Sequence, residues 1–250
     1  ASYFFRNTTP DYDLLKRYFW YFSFHNDALL SNTTHLRDHI HRFREARAGK
    51  KFDFGRFVID RQRLRSTSYS MRGSLSRAIL ALYANQCPKD WQQKDRSVLS
   101  SVYYTLTDHP NLHHIFPLDF CEKHLSDQQE YANSLLNIAY LMQITNLQIS
   151  NKNPLEYMTA YIGNGDFGPV SKSHLLPDNI IQWSVAESMP QGALQVFCEA
   201  RLDLIIDKIK DYLAPVQVHV IDSGKGDSIV NNTISDFEST AIIDDTSNLN

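Results

Sequence analysis

The chain has 250 residues, 42% of them hydrophobic, 12% aromatic and 21% charged, with a formal net charge of −3. That length buries a sizeable core in one large domain or two small ones, and that composition excludes a globally disordered chain. Cys87, Cys121 and Cys198 are odd in number and form no C-x-x-C, which argues against a disulfide framework and a cysteine metal knuckle.

No apolar run approaches about 18 residues and no basic-then-apolar leader opens the chain, so a cytoplasmic protein without a membrane span is expected. The opening "ASYFF" has no initiator methionine and suggests an excised or processed piece of a longer protein. Charge is uneven. Between Arg37 and Arg77 there are twelve Lys/Arg against four acids, whereas from Asp222 onward there are six acids and one lysine. A basic stretch of this kind is either a solvated face or a phosphate-contacting patch, with Arg42, Arg44, Arg47, Lys50 and Lys51 its candidate DNA-binding residues.

Residues 11–30 place Leu14, Leu15, Tyr18, Phe19, Phe22 and Leu29 at helical spacing. Asn32, Thr33 and Thr34 offer an N-cap for a second helix that Gly49 stops. In it His35 and His39 are four apart, but without a third helical ligand they read as surface histidines beside Arg37 and Asp38. "FGRFVID" is a strand or a loop-to-helix connection, and "SMRGSLSRAILALYANQ" is a helix ending before Cys87-Pro88. "PKDWQQKDRSVL" is polar and without period, and a domain boundary is expected near residue 95. Short elements follow around "NLHHIFPLDF", then a strand-like run in "NSLLNIAYLMQIT". "TNLQISN" and "PLEYMTAYIG" look helical, with Pro154 suited to a first turn. Residues 163–180 read as a loop, "GALQVFCEARLDLIIDKIKDYLA" as an amphipathic helix, and "VQVHVID" as a strand. The Ser/Asn/Asp-rich remainder has the composition of a poorly ordered acidic tail.

Adjacent residues of a strand point to opposite sides, so His113 and His114 suit two different tasks. Hydrolysis of a phosphodiester needs a base for the water and a cation for the phosphoryl oxygens, and imidazole serves as base or as ligand. Downstream, Asn137 can tie a loop to its backbone, while Asn146 can cap a helix or offer its carbonyl oxygen to a metal. Spacing alone leaves a nuclease open.

"HHIFP", "LLNIAYL" and "TNLQISNKNPLEYM" together resemble the C-terminal HNH-like (His-Me finger, ββα-metal) nuclease domain of GmrSD-type modification-dependent restriction endonucleases and related phage-defence proteins. The last segment carries the family pattern at Thr145, Asn146, Ile149, Lys152, Pro154, Glu156 and Tyr157. The likeness is strong over about fifty residues, and "FCEARLDLIIDKIKDYL" resembles the helix that ends such domains. It implies His113 and Asn146 as metal ligands, His114 as general base, Asn137 as the residue that orients the base loop, and Lys152 near the scissile phosphate or bracing the turn before Pro154. The implied cofactor is a divalent metal ion, Mg²⁺ or Mn²⁺, and the implied partner is DNA, possibly modified, with a homo-oligomer left open.

The first ninety residues resemble the helical connection between a ParB-like NTPase part and the nuclease. "VIDRQRLR" matches that part's Asp-Gly-Gln-Gln-Arg signature only superficially, since Arg61 replaces the glycine, so any nucleotide would bind through a region absent from this chain. The expected architecture is therefore α+β and predominantly helical. Residues 1–95 form a basic helical segment, 96–215 an HNH-like nuclease domain with a two-stranded ββα-metal core framed by helices, and 216–250 a strand and the acidic tail. The alternatives are a nucleic-acid-binding module with an inactive nuclease centre, and a structural fragment in which the histidines close a strand.

Overall fold

The computed structural model describes residues 9–25, 33–70, 72–100 and 107–225. The fold is α+β and mostly helical, with two separate two-stranded sheets among the described residues. The expected cap Asn32, the side chain of His35 and the tail from residue 226 lie outside the described residues.

Helix α1 (Tyr12–Phe24) starts at Asp11, whose carboxylate accepts from the backbone N–H of Leu14 at 2.8 Å. Helix α2 (Thr33–Arg47) stops where predicted, with Gly49 at φ +88°. Between them lies an aromatic cluster in which Tyr18 meets Phe43 and Phe52 edge-on. His39 corrects an expectation: it is buried, and its Nδ1 lies 3.2 Å from the Tyr18 hydroxyl. It shares the inward stripe of α2 with Phe43, and the hydroxyl supplies the polar partner that burial demands.

Strand β1 (Phe57–Asp60) runs directly into helix α3 (Arg61–Arg65) and pairs in parallel with β4 (Val218–Ile221), Phe57 opposite Val218. Helix α4 (Ser74–Asn85) ends, as the sequence suggests, just before Cys87-Pro88. Strand β2 (Pro110–His114) pairs antiparallel with β3 (Ile138–Met142), placing His113 opposite Ala139 and His114 opposite Ile138. Short helices α5 (Leu118–His124) and α6 (Gln129–Ala132) fill the connection. After β3 come α7 (Gln143–Ile149) and α8 (Pro154–Gly163), the latter with Asn153 as N-cap and Pro154 in its first turn.

The loop expected over 163–180 is overturned in part. Helix α9 (Gly168–Ser173) occupies its middle, and α10 (Asp178–Ala186) begins before its end. The glycine and proline that suggest a loop instead start a helix: Pro169 sits in its first turn, and the Gly168 N–H is accepted by the Asp166 carboxylate at 2.9 Å.

Helix α11 (Ala193–Leu213) is the axis of the molecule, with Leu194, Phe197, Leu202, Ile205, Ile206, Ile209 and Leu213 all buried. Trp20 of α1 stacks on its Tyr212 with ring centroids 4.5 Å apart. The boundary expected near residue 95 does not separate two cores, because a single buried cluster runs from Leu14 to Leu213. Ion pairs reinforce this union. Arg61 reaches Asp203 and Glu199 of α11, and Arg65 reaches Glu199 and Asp222.

Arg201 is wholly buried in the middle of α11, and its guanidinium donates to the carbonyls of Leu136 (2.8 Å), Ile138 (2.7 Å) and His174 (2.8 Å) while lying over the Tyr83 ring. Its charge is balanced by carbonyl dipoles, and burial lowers its pKa from the ordinary arginine value. Arg201→Met keeps much of the volume but leaves three carbonyls without their donor, so a loss of roughly 3 kcal/mol or more is expected in urea unfolding. A loss under about 1 kcal/mol would show that the carbonyls find other partners.

Candidate functional site

β2, β3 and α7 make one small unit, and the side chains singled out in the sequence meet on it. His113 points inward: it is 4% exposed, and its Nδ1 lies 2.7 Å from Oδ1 of Asn146 on α7. As a hydrogen bond, this contact has Nδ1–H donating to the amide oxygen and leaves Nε2 bare. Nε2 is buried and finds no hydrogen-bond partner among the described residues. Trp91 and Tyr157 wall the ring, each edge-on at about 6 Å between centroids.

Asn146 is the fourth residue of α7, whose N-cap is Met142, so the capping alternative for Asn146 is set aside. Its side chain is spent on His113 instead. With only seven residues, α7 has little stability of its own and is held by tertiary anchors. Two carboxylates that sequence reasoning missed supply them. Asp108 accepts from the Ile144 N–H at 2.9 Å, and buried Asp90 accepts from the Met142 N–H at 3.1 Å and the Thr145 hydroxyl at 2.7 Å.

His114 turns the other way, as strand alternation requires. It is partly exposed, and its Nε2 lies 3.2 Å from the side-chain oxygen of Asn133. That oxygen can only accept, so Nε2 carries the proton and Nδ1 presents a lone pair. Burial lowers the pKa of His114 from the usual histidine value, which keeps the ring neutral near pH 7. Asn133 is exposed and follows no motif, so nothing in the sequence singles it out.

Asn137 is fully buried, and its side chain bonds to backbone rather than to either histidine ring. Its Oδ1 accepts from Phe116 N–H at 2.7 Å, and its Nδ2 donates to Phe116 C=O at 2.9 Å and Ala132 C=O at 2.8 Å. Its own carbonyl accepts from Ile115 N–H at 2.8 Å. It therefore closes the loop that leaves His114 and positions that residue through the backbone. Lys152 is exposed on the turn between α7 and α8, next to the Asn153 cap. His109 and His124 are exposed, and His124 packs on Phe120.

The site residues of the basic stretch divide into two kinds. Arg42 donates to the Asp53 carbonyl at 2.9 Å and Lys50 pairs with Glu45 at 2.7 Å, whereas Arg44, Arg47 and Lys51 are exposed with no ion pair among the described residues. Arg61 and Arg65, counted in the same basic surplus, are committed to the ion pairs with α11.

Among the described residues no three His, Cys, Asp or Glu side chains cluster as a metal site, and no helix is long and apolar enough to cross a membrane. Comparison with protein-family models, curated proteins and solved structures found no match.

His174, bonded through Nε2 to the Lys89 carbonyl at 2.6 Å, shares the wall around Trp91, and burial pushes both His113 and His174 down to about 4. An unfolded histidine takes its proton near 6.5, so between about pH 6.5 and 4 the unfolded chain binds more protons than the folded one. Stability is then fully present above about pH 6.5 and falls as pH drops toward 4, by about 1.4 kcal/mol per pH unit for each histidine. Urea midpoints measured from about pH 7.5 to 5, above most carboxylate titration, should decline. A flat profile would contradict neutral burial of the two rings.

Proposed function

We propose that the protein is a metal-dependent DNA endonuclease of the HNH-like, ββα-metal kind, and that it serves as the nuclease part of a modification-dependent restriction or anti-phage defence protein. One observation carries this reading. The unit β2–β3–α7 brings His113 Nδ1 and Asn146 Oδ1 to 2.7 Å, while the next residue, His114, offers a lone pair on the other side of the strand. The sequence resemblance assigns the same residues to the same tasks.

The donor set fits a hard divalent cation. A ring nitrogen and an amide oxygen face each other, and two neighbouring donors of one octahedral ion stand roughly 3 Å apart, so the pair would open slightly as the ring's proton moves from Nδ1 to Nε2 and frees the Nδ1 lone pair. His113 and Asn146 would hold the ion, with solvent and phosphate oxygens completing its shell. Mg²⁺ and Mn²⁺ both suit that mixture. When bound, such an ion supplies positive charge to the phosphoryl and leaving oxygens.

The chain's own residues do the rest. Asn133 holds the His114 ring by Nε2, so that Nδ1 faces the incoming water. Nδ1 takes the proton as the water oxygen attacks phosphorus, the bond to the leaving ester oxygen breaks and that oxygen takes a proton from solvent, and the ring returns its own proton to solvent and to neutrality. Asn137 fixes the backbone just past His114 and keeps the ring aligned. Lys152, on the turn after α7, adds positive charge on the DNA side of the unit, and Arg44, Arg47 and Lys51 contribute sequence-independent phosphate contacts.

His114→Ala should reduce plasmid cutting in Mg²⁺ or Mn²⁺ on the order of 10²–10⁴-fold, with DNA binding and melting temperature near wild type. A fully active variant would remove His114 from the chemistry. The short ligand list favours one rival, a nucleic-acid-binding module with an inactive centre, and a wild-type protein that binds DNA but cuts nothing in either metal would establish it.

Replacing Arg44, Arg47 and Lys51 together by Gln should weaken DNA binding evenly across sequences. It should also flatten the log–log salt dependence by roughly 0.9 for each phosphate no longer neutralised. An unchanged slope returns the three to a solvated face.

A further inference from the structure

The segment between Pro88 and Val98 is a tight irregular hairpin, closed by Val98 N–H to Pro88 C=O at 2.8 Å and Asp90 N–H to Arg96 C=O at 2.9 Å. It delivers two buried residues to the site. Trp91 covers the inner edge of His113, and the Asp90 carboxylate, 1% exposed, grips the start of α7. Asp90 accepts four hydrogen bonds. Three come from the N–H groups of Met142 (3.1 Å), Gln92 (3.2 Å) and Gln93 (3.1 Å), and one from the hydroxyl of Thr145 at 2.7 Å.

Of the four donors, Thr145 alone is a side chain, and it immediately precedes Asn146. Of the backbone bonds, the one from Met142 fixes where α7 begins, while those from Gln92 and Gln93 hold the carboxylate within the hairpin. The hydroxyl bond adds a lever one turn further on, at the inward face, and so fixes how the helix is rotated about its axis. Asp108, through the Ile144 N–H, and buried Ile149 also hold this two-turn helix, but the Thr145 hydroxyl bond acts at the residue next to Asn146, where a two-ligand site needs the tightest tolerance.

We propose that the buried Asp90–Thr145 hydrogen bond is the positioning device of the metal centre, setting the Asn146 side-chain oxygen against His113. This rests on the metal-dependent reading above and names residues that act through Asn146 without touching the ion. Partners of this outer kind, when removed from metal sites, typically lower affinity by about 10–100-fold while the ligands themselves remain.

The test is Mn²⁺ binding to the full chain, read from the electron paramagnetic resonance signal of free Mn²⁺, with thermal unfolding in parallel. Thr145→Val keeps the shape and leaves Asp90 its three backbone donors. It should bind Mn²⁺ about 10–100-fold more weakly, with melting lowered but the protein folded at the assay temperature. Thr145→Ser restores the hydroxyl and should restore the affinity. If Val crowds the carboxylate and the variant unfolds, Thr145→Ala removes the same hydroxyl with room to spare and should show the same loss.

In the metal-free state, the side-chain amide resonances of Asn146 should shift in Val or Ala and stay in place in Ser. Wild-type affinity in the folded Val or Ala variant overturns the proposal and leaves the metal reading standing. Equal loss in Ser and Val also overturns it, because packing of the methyl group would then be responsible. A wild-type protein that binds no Mn²⁺ removes the metal reading itself, and this device with it.

Discussion

The connection between β2 and β3 is held shut at Asn137, and the arrangement of the site depends on that closure. Antiparallel strands joined by more than twenty residues of short helices have no tight turn to set their register. Here the register is set from inside. The fully buried Asn137 amide spends its oxygen and both N–H groups on the backbone of Phe116 and Ala132, so the two ends of the connection are stitched together beside His114. Arg201 grips the same point from the other side through the carbonyls of the residues flanking Asn137. An amide with every group satisfied and a cation solvated by carbonyls tolerate low polarity, and neither can be displaced without leaving buried polar groups unpaired.

From that lock the two histidines acquire different characters without any difference in residue type. His113 faces the packed side, where Trp91, Tyr157 and α7 remove water and Asn146 supplies one polar partner. His114 sits at the strand end, half open, oriented by Asn133. Burial lowers the proton affinity of both, and takes the pKa of His113 down to about 4. A ring held neutral beside the half-buried Asn146 is suited to donate a lone pair to a cation that solvent can reach. A ring with access to solvent is suited to pass protons.

Local pattern makes the regular elements legible: the apolar stripe of α11, the strand-like run of β3, Pro154 in the first turn of α8, and Gly49 at the end of α2. Strand alternation likewise separates the two histidines from the sequence alone. What escapes are residues whose role is defined only by distant chain. Asp90 meets Met142 and Thr145 across 52 and 55 residues, and it lies in a polar segment whose lack of period suggests a boundary. Its contribution is a set of caps and a wall, which leave no repeat in sequence. His39 departs from a surface reading for the same reason, since its partner Tyr18 sits on another helix. Arg61 and Arg65 look like part of a phosphate-binding patch until their carboxylates on α11 come into view.

The central claim is that His113 and Asn146 form a divalent-metal site, and anomalous scattering from crystals soaked in Mn²⁺ tests it most directly. The account predicts a single strong anomalous peak within coordination distance of both His113 Nδ1 and Asn146 Oδ1, with the two atoms moved slightly apart from their 2.7 Å contact. An intact hydrogen bond between them, with no peak or with the peak elsewhere on the molecule, would contradict it.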